Sequence, residues 1–137
     1  QTADHVVILN EMVHNARIIP LDGGPHGDLP QYSGDSRGRW DGDTLVVETT
    51  RFLRETSLGG SSRETTLVER FRRADPDTVM YEFTVEDPDA YTSPWTALMP
   101  LRRTEGPMFE YACHEGNIGL AGILAGARNL DTQRVGR

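Results

Sequence analysis

Four side chains in this chain have the chemistry to move protons: Glu69, Glu48, His14 and His114. Glu69 alternates with Leu67 and Phe71, so all three share one side of a predicted strand. A carboxylate among apolar neighbours is desolvated and holds its proton more tightly unless it is paired. That property suits a general acid or base. The competing reading is structural, a buried ion pair with an arginine such as Arg17. Glu48 alternates with Val46 and Thr50, and Glu11 shares a face with Leu9, so both fit an interior or a rim. Arg17 would orient an anionic group. His26, Tyr32, Trp40 and Tyr111 offer hydrogen bonds and stacking surfaces to a bound molecule.

Several sharper motifs fail on spacing or context. The four histidines, at 5, 14, 26 and 114, include no H-x-x-x-H pair, and His114-Glu115-Gly116-Asn117-Ile118 is not H-E-x-x-H. A metal site would need the fold to gather His14, His26 and His114. No cofactor is expected, and a divalent metal on those histidines is the alternative. Gly34-Asp-Ser-Arg-Gly38 matches G-x-S-x-G, but the hydrolase elbow needs a buried strand before the serine and a helix after it. Here proline and glycine precede the motif and a hairpin follows, so it reads as a glycine-rich loop. Asp41-Gly-Asp43 lacks the remaining ligands of a calcium loop. Cys113 is the sole cysteine, which excludes an intrachain disulfide and reads as a buried thiol.

These groups need a scaffold, and the pattern is mostly strand. His5–Met12 is β-branched and apolar on both faces, as in a strand covered on both sides. Val13–Ala16 reads as a turn and Arg17–Leu21 as a returning strand, with Pro20 placing it at an edge. Residues 22–44 are punctuated by glycine and proline and read as a long loop closed by a type I′ turn at Asp41-Gly42. Leu67–Arg73 with Val79–Val85, and Trp95–Leu101 with Met108–His114, read as two further hairpins. Asn117–Arg128 reads as a short glycine-rich helix, and 129–137 as a frayed tail. The whole predicts a mainly β, single-domain fold over residues 1–128. It would be an antiparallel lipocalin-like barrel or a sandwich of about seven or eight strands, with one short C-terminal helix. The long loop is expected to border the main pocket, with Glu69 pointing into it.

Composition removes whole classes of function. All 14 basic residues are arginine, so Schiff-base chemistry, pyridoxal attachment and a Walker lysine are excluded. A net charge of −7 argues against nucleic acid as a partner. Apolar runs such as Ile118–Ala127 are too short to insert across a bilayer. The two-faced first strand and the glycine-rich helix both need covering, which suggests a homo-oligomer.

Asp4–Met12, Arg17–Gly23, Gly38–Thr49, Leu67–Phe71, Asp87-Pro88 with Pro94-Trp95, and Glu110–Asn117 together resemble a family of secreted bacterial proteins from soil and environmental genomes. The resemblance covers nearly the whole chain. It implies export, to the periplasm or the exterior, and brings no mechanism. Family members are usually longer at the N-terminus, so this chain looks like a C-terminal portion or a short member. The residues themselves point to a small-molecule-binding β protein, with acid–base catalysis on a small polar or carbohydrate-derived substrate as the leading reading. The alternatives are a non-catalytic binding or assembly module and a histidine-based metal protein.

Overall fold

A computed structural model describes residues 1–53, 61–112 and 119–135, and the helix side chains as far as residue 129. Seven strands lie among the described residues: β1 His5–Leu9, β2 Ala16–Pro20, β3 Asp35–Asp41, β4 Thr44–Thr50, β5 Thr66–Asp75, β6 Thr78–Glu86 and β7 Trp95–Arg102. One helix follows, α1 Gly119–Val135. The first two strands form a separate hairpin, and the other five form one antiparallel sheet in the order β3-β4-β5-β6-β7. The protein is thus mainly β with a C-terminal helix. Among the described residues no pairing joins β3 to β7, so the sheet is not closed into a barrel.

Alternation decides which face of the large sheet is covered. Gly38, Val47, Glu69 and Phe83 lie in one row across β3 to β6, and Trp40, Leu45, Phe71 and Tyr81 in the next. Side chains in such rows point to the same face. The β1–β2 hairpin lies over the β3–β5 part of this face. Its Val6, Ile8 and Ile19, with Leu21 beyond it, pack on Leu45, Val47 and Phe71. Gly38 makes that approach possible: a Cβ there would lie 2.7 Å from Ile19 Cγ2 and 2.9 Å from Leu21 Cδ2. A second cluster joins Phe52, Leu67 and Val85, with Phe83 and Tyr91 against it. The rings of Phe71, Tyr81, Phe83, Trp95 and Tyr91 follow one another along the same face.

Several expectations need correction. The predicted loop 22–44 is shorter, because β3 begins at Asp35; Asp35, Ser36 and Gly38 are buried strand residues, not glycine-loop residues. The Asp41-Gly42 hairpin forms, with Asp41 opposite Thr44. Gly42 has φ 61° while Asp43 is not left-handed, which matches a type II′ turn and not type I′. β1 is not covered on both sides: Val7 and Leu9 are exposed while Val6 and Ile8 face the sheet. The turn after it is a short 3₁₀ segment, Met12–His14, with Val13 and His14 both at positive φ. Of the expected strand Met108–His114, the described part Met108–Ala112 is not strand and does not pair with β7; Cys113 and His114 lie outside the described residues. Instead Phe109 N–H donates to Glu11, and Tyr111 N–H to His14 Nε2. The helix runs on to Val135, through most of the predicted frayed tail. Leu120, Ile123 and Leu124 on it are exposed.

Candidate functional site

Glu69 stands in the row between Val47 and Phe83, with only 3% of its surface exposed. Arg17 lies two residues before Ile19, on the sheet-facing side of β2, and reaches down onto it. Arg17 Nη1 is 2.7 Å from Glu69 Oε2 and Arg17 Nη2 donates to Oε1 at 3.0 Å. The Tyr81 hydroxyl donates to the same Oε1 at 2.8 Å. Burial, then the charge and the hydrogen bond of Glu69, raise the Tyr81 phenol far above its ordinary value. The two residues singled out together, Glu69 and Arg17, do meet. They meet as a neutralised pair under the hairpin, and Glu69 lines no cavity described in the structure. The long loop does border cavities, residues 31–36 with Arg17 in one and His26 with Arg51 in another, but Glu69 enters neither.

A second cluster lies on the opposite face, where Asp35 and Arg37 project from β3 and Glu48 from β4. Register sets Arg37 opposite Glu48 and Asp35 two residues away. The segment between β2 and β3 crosses the β3 edge to reach them. Leu21 packs on the inner face near Gly38, whereas His26 contacts the outer face. An Asx turn at Asp22, with Gly24 N–H donating to its carboxylate at 2.9 Å, starts the crossing. His26 Nδ1 is 3.0 Å from Asp35 Oδ2, and its Nε2 is 3.2 Å from Glu48 Oε1. Gly27 N–H also donates to Asp35 Oδ2, at 2.9 Å.

Burial works against ionising Asp35. The Gly27 N–H, the His26 ring and the Arg37 guanidinium outweigh it and hold the carboxyl below its ordinary range. Asp35 is buried, while the Glu48 side chain is half exposed. Ionised carboxylates only accept hydrogen bonds, so both contacts together need the imidazolium. With one proton gone, the tautomer that keeps Nδ1–H on Asp35 leaves the Nε2 lone pair outward. A histidine oriented by a buried carboxylate is the arrangement of a general base. His26 also lines a cavity of about 270 Å³ together with Arg51, Arg63, Glu64, Thr65 and Thr66.

The remaining candidates are apart from this cluster. His14 lines a different cleft with Asn15 and the exposed Tyr32, and accepts from Tyr111 N–H. Trp40 ends β3, half exposed on the inner face. His114 and Cys113 lie outside the described residues. Among the described residues no group of three or more His, Cys, Asp or Glu is placed to hold a metal, so His14 and His26 form no common site. The sequence reading missed Asp35, Arg51 and Arg63. Alternation of Asp35, Arg37 and Arg39 with Ser36, Gly38 and Trp40 was the available signal for the first. Nothing local marks the other two.

Asp87 is a third buried carboxylate, with a structural role. It accepts from Ser62 N–H and hydroxyl, Thr65 hydroxyl, and the Asp89 and Ala90 N–H groups. Burial opposes its charge, but these donors bring its pKa down to about 2. It ties the start of β5 to the turn after β6. Comparison of the chain with protein-family models, with curated proteins and with solved structures gave no match.

Proposed function

We propose that this chain is a small-molecule-binding β protein whose reacting group is His26, working by general acid–base chemistry. The line Asp35–His26–Glu48, whose His26 also lines the cavity of Arg51 and Arg63, carries this reading. Asp35 fixes the ring and its tautomer. Glu48, at the exposed end, accepts from the imidazolium and releases Nε2 when the proton leaves. A cavity of about 270 Å³ suits a molecule of a few carbon atoms. The interior pair Arg17–Glu69 supports the scaffold instead, because both charges are already neutralised.

The test is a panel of small organic acids and sugar acids, read by thermal shift and by proton NMR in D₂O. Some member stabilises the wild-type protein and exchanges a carbon-bound proton for deuterium. His26→Gln abolishes the exchange, and Asp35→Asn slows it by about a hundredfold or more. Exchange that survives in His26→Gln would overturn the assignment. Stabilisation without exchange in the wild type would leave a binding module only.

A further inference from the structure

We infer that the His26 cavity recognises the oxyanion of a small organic acid through Arg51 and Arg63. This deepens the preceding reading and rests on it for the reacting group. Three observations converge. First, Arg51 has φ 57°, a left-handed conformation that side chains other than glycine and asparagine seldom adopt. It is held there by its surroundings: Gln31 N–H donates to the Arg51 carbonyl at 2.8 Å, and Leu53 N–H donates to the Gln31 carbonyl at 3.0 Å. Backbone strain that neighbours enforce is often kept for function. Second, the Arg51 and Arg63 side chains line one cavity, and among the described residues neither is within 4.0 Å of a carboxylate, a state they share with Arg39, Arg72, Arg73 and Arg102, none of which lines this cavity. In a chain of net charge −7, two guanidinium groups thus converge on one small cavity. Third, the same cavity includes the hydroxyl residues Thr65 and Thr66 beside them, with one carboxylate, Glu64, to set against the two arginines. Thr65 is anchored, since its hydroxyl donates to the buried Asp87, so the floor of the cavity is fixed before any ligand arrives.

The chemistry of the two ends agrees. Removing a proton from the carbon next to a carboxylate puts the C–H electron pair into the carboxylate group, which gains negative charge, while the proton goes to His26 Nε2. Cations at the carboxylate stabilise that charge. Guanidinium groups bind carboxylate and phosphate alike, through paired N–H donors. The shared requirement is an oxyanion on a molecule small enough for the cavity.

The probes are sodium acetate, inorganic phosphate and sodium chloride, at constant ionic strength, followed by the Arg Nε–Hε signals in ¹H–¹⁵N NMR spectra. Saturable shifts at Arg51 and Arg63 with acetate mark a carboxylate site, and saturable shifts with phosphate alone mark a phosphate site. The doubly substituted Arg51→Gln, Arg63→Gln protein loses at least tenfold in apparent affinity. Arg51→Gly removes strain as well as charge, so it weakens binding while raising Tm by about 4 °C. Shifts that stay linear, or that chloride reproduces, would overturn the proposal. This outcome is separable from failure at His26: His26→Gln keeps the saturable Arg51 shifts if the oxyanion site is right and the base is wrong.

Discussion

The two faces of the large sheet each carry a carboxylate cluster, and they treat charge in opposite ways. On the inner face Glu69 is almost wholly buried, with Arg17 and Tyr81 against it. On the outer face Asp35 is buried, but its partner His26 continues outward to a half-exposed Glu48. Both hydrogen bonds to Glu69 reach Oε1, while Oε2 is buried with only the ion-pair contact to Arg17, and breaking such a buried pair strands a charge. A chain of contacts from buried to exposed keeps one end fixed and the other responsive. On the proposed reading the face with the more hidden carboxylate is the structural one, although burial alone first drew attention to it.

Substitutions can break this contrast. Arg17→Met should have the largest effect, destabilising the protein by about 3–5 kcal/mol because Glu69 is left buried and unpaired. Urea unfolding measures it, and a loss below about 1 kcal/mol would show that the pair is not what fixes the hairpin on the sheet. Arg17→Met combined with Glu69→Leu should recover most of that loss.

Asp87→Ala should cost about 3 kcal/mol, since several donors lose a charged acceptor together. The pH dependence has a definite sign. Asp87 titrates at about 2 in the folded protein against an ordinary 3.8, so its contribution is complete above the higher value and is lost as pH falls through the lower. Urea midpoints measured from pH 5 down to pH 2 should fall less steeply in Asp87→Asn than in the wild type. Equal slopes would contradict the assignment.

Tyr81→Phe should cost about 1–2 kcal/mol through the lost bond to Glu69. In the wild type, an alkaline absorbance titration should show one of the four tyrosines still protonated after the others have ionised. If all four ionise together, Tyr81 is not held as described. His26→Gln should change stability least, by under about 1 kcal/mol, because Glu48 is half exposed and the buried Asp35 keeps the Gly27 N–H and Arg37. It should nonetheless remove deuterium exchange, which no substitution at Glu69 that leaves the protein folded would do. A His26→Gln protein that unfolds would erase the distinction between the faces.

Much of the scaffold was legible from local pattern. Alternation in Leu67–Phe71 and Tyr81–Val85 predicts the β5–β6 pairing, and Asp41-Gly42 predicts the turn between β3 and β4. The sequence reading also named Arg17 as a partner for Glu69, because an arginine is what a buried carboxylate requires. The start of β3 was hidden by Gly34 and Gly38, which look like loop residues. Gly34 has φ 73° and Gly38 lies under Ile19 and Leu21, so each glycine is needed for contacts made by distant residues. The outer site was hidden for the same reason. His26, Asp35, Glu48, Arg51 and Arg63 span 38 positions from first to last, counting both ends, and form no spacing motif.

The sequence by itself determined the strand periods, the arginine-only basic set and the absence of lysine chemistry, because these depend on residues one or two positions apart or on composition. Tertiary structure decided which face each carboxylate joined and what covered it. The β1–β2 hairpin had to land on β3–β5 to close over Glu69, and the following segment had to cross the β3 edge to bring His26 to Asp35. Both placements rest on packing between residues far apart in the chain, Ile19 on Gly38 and His26 on Glu48, and no local propensity encodes such contacts.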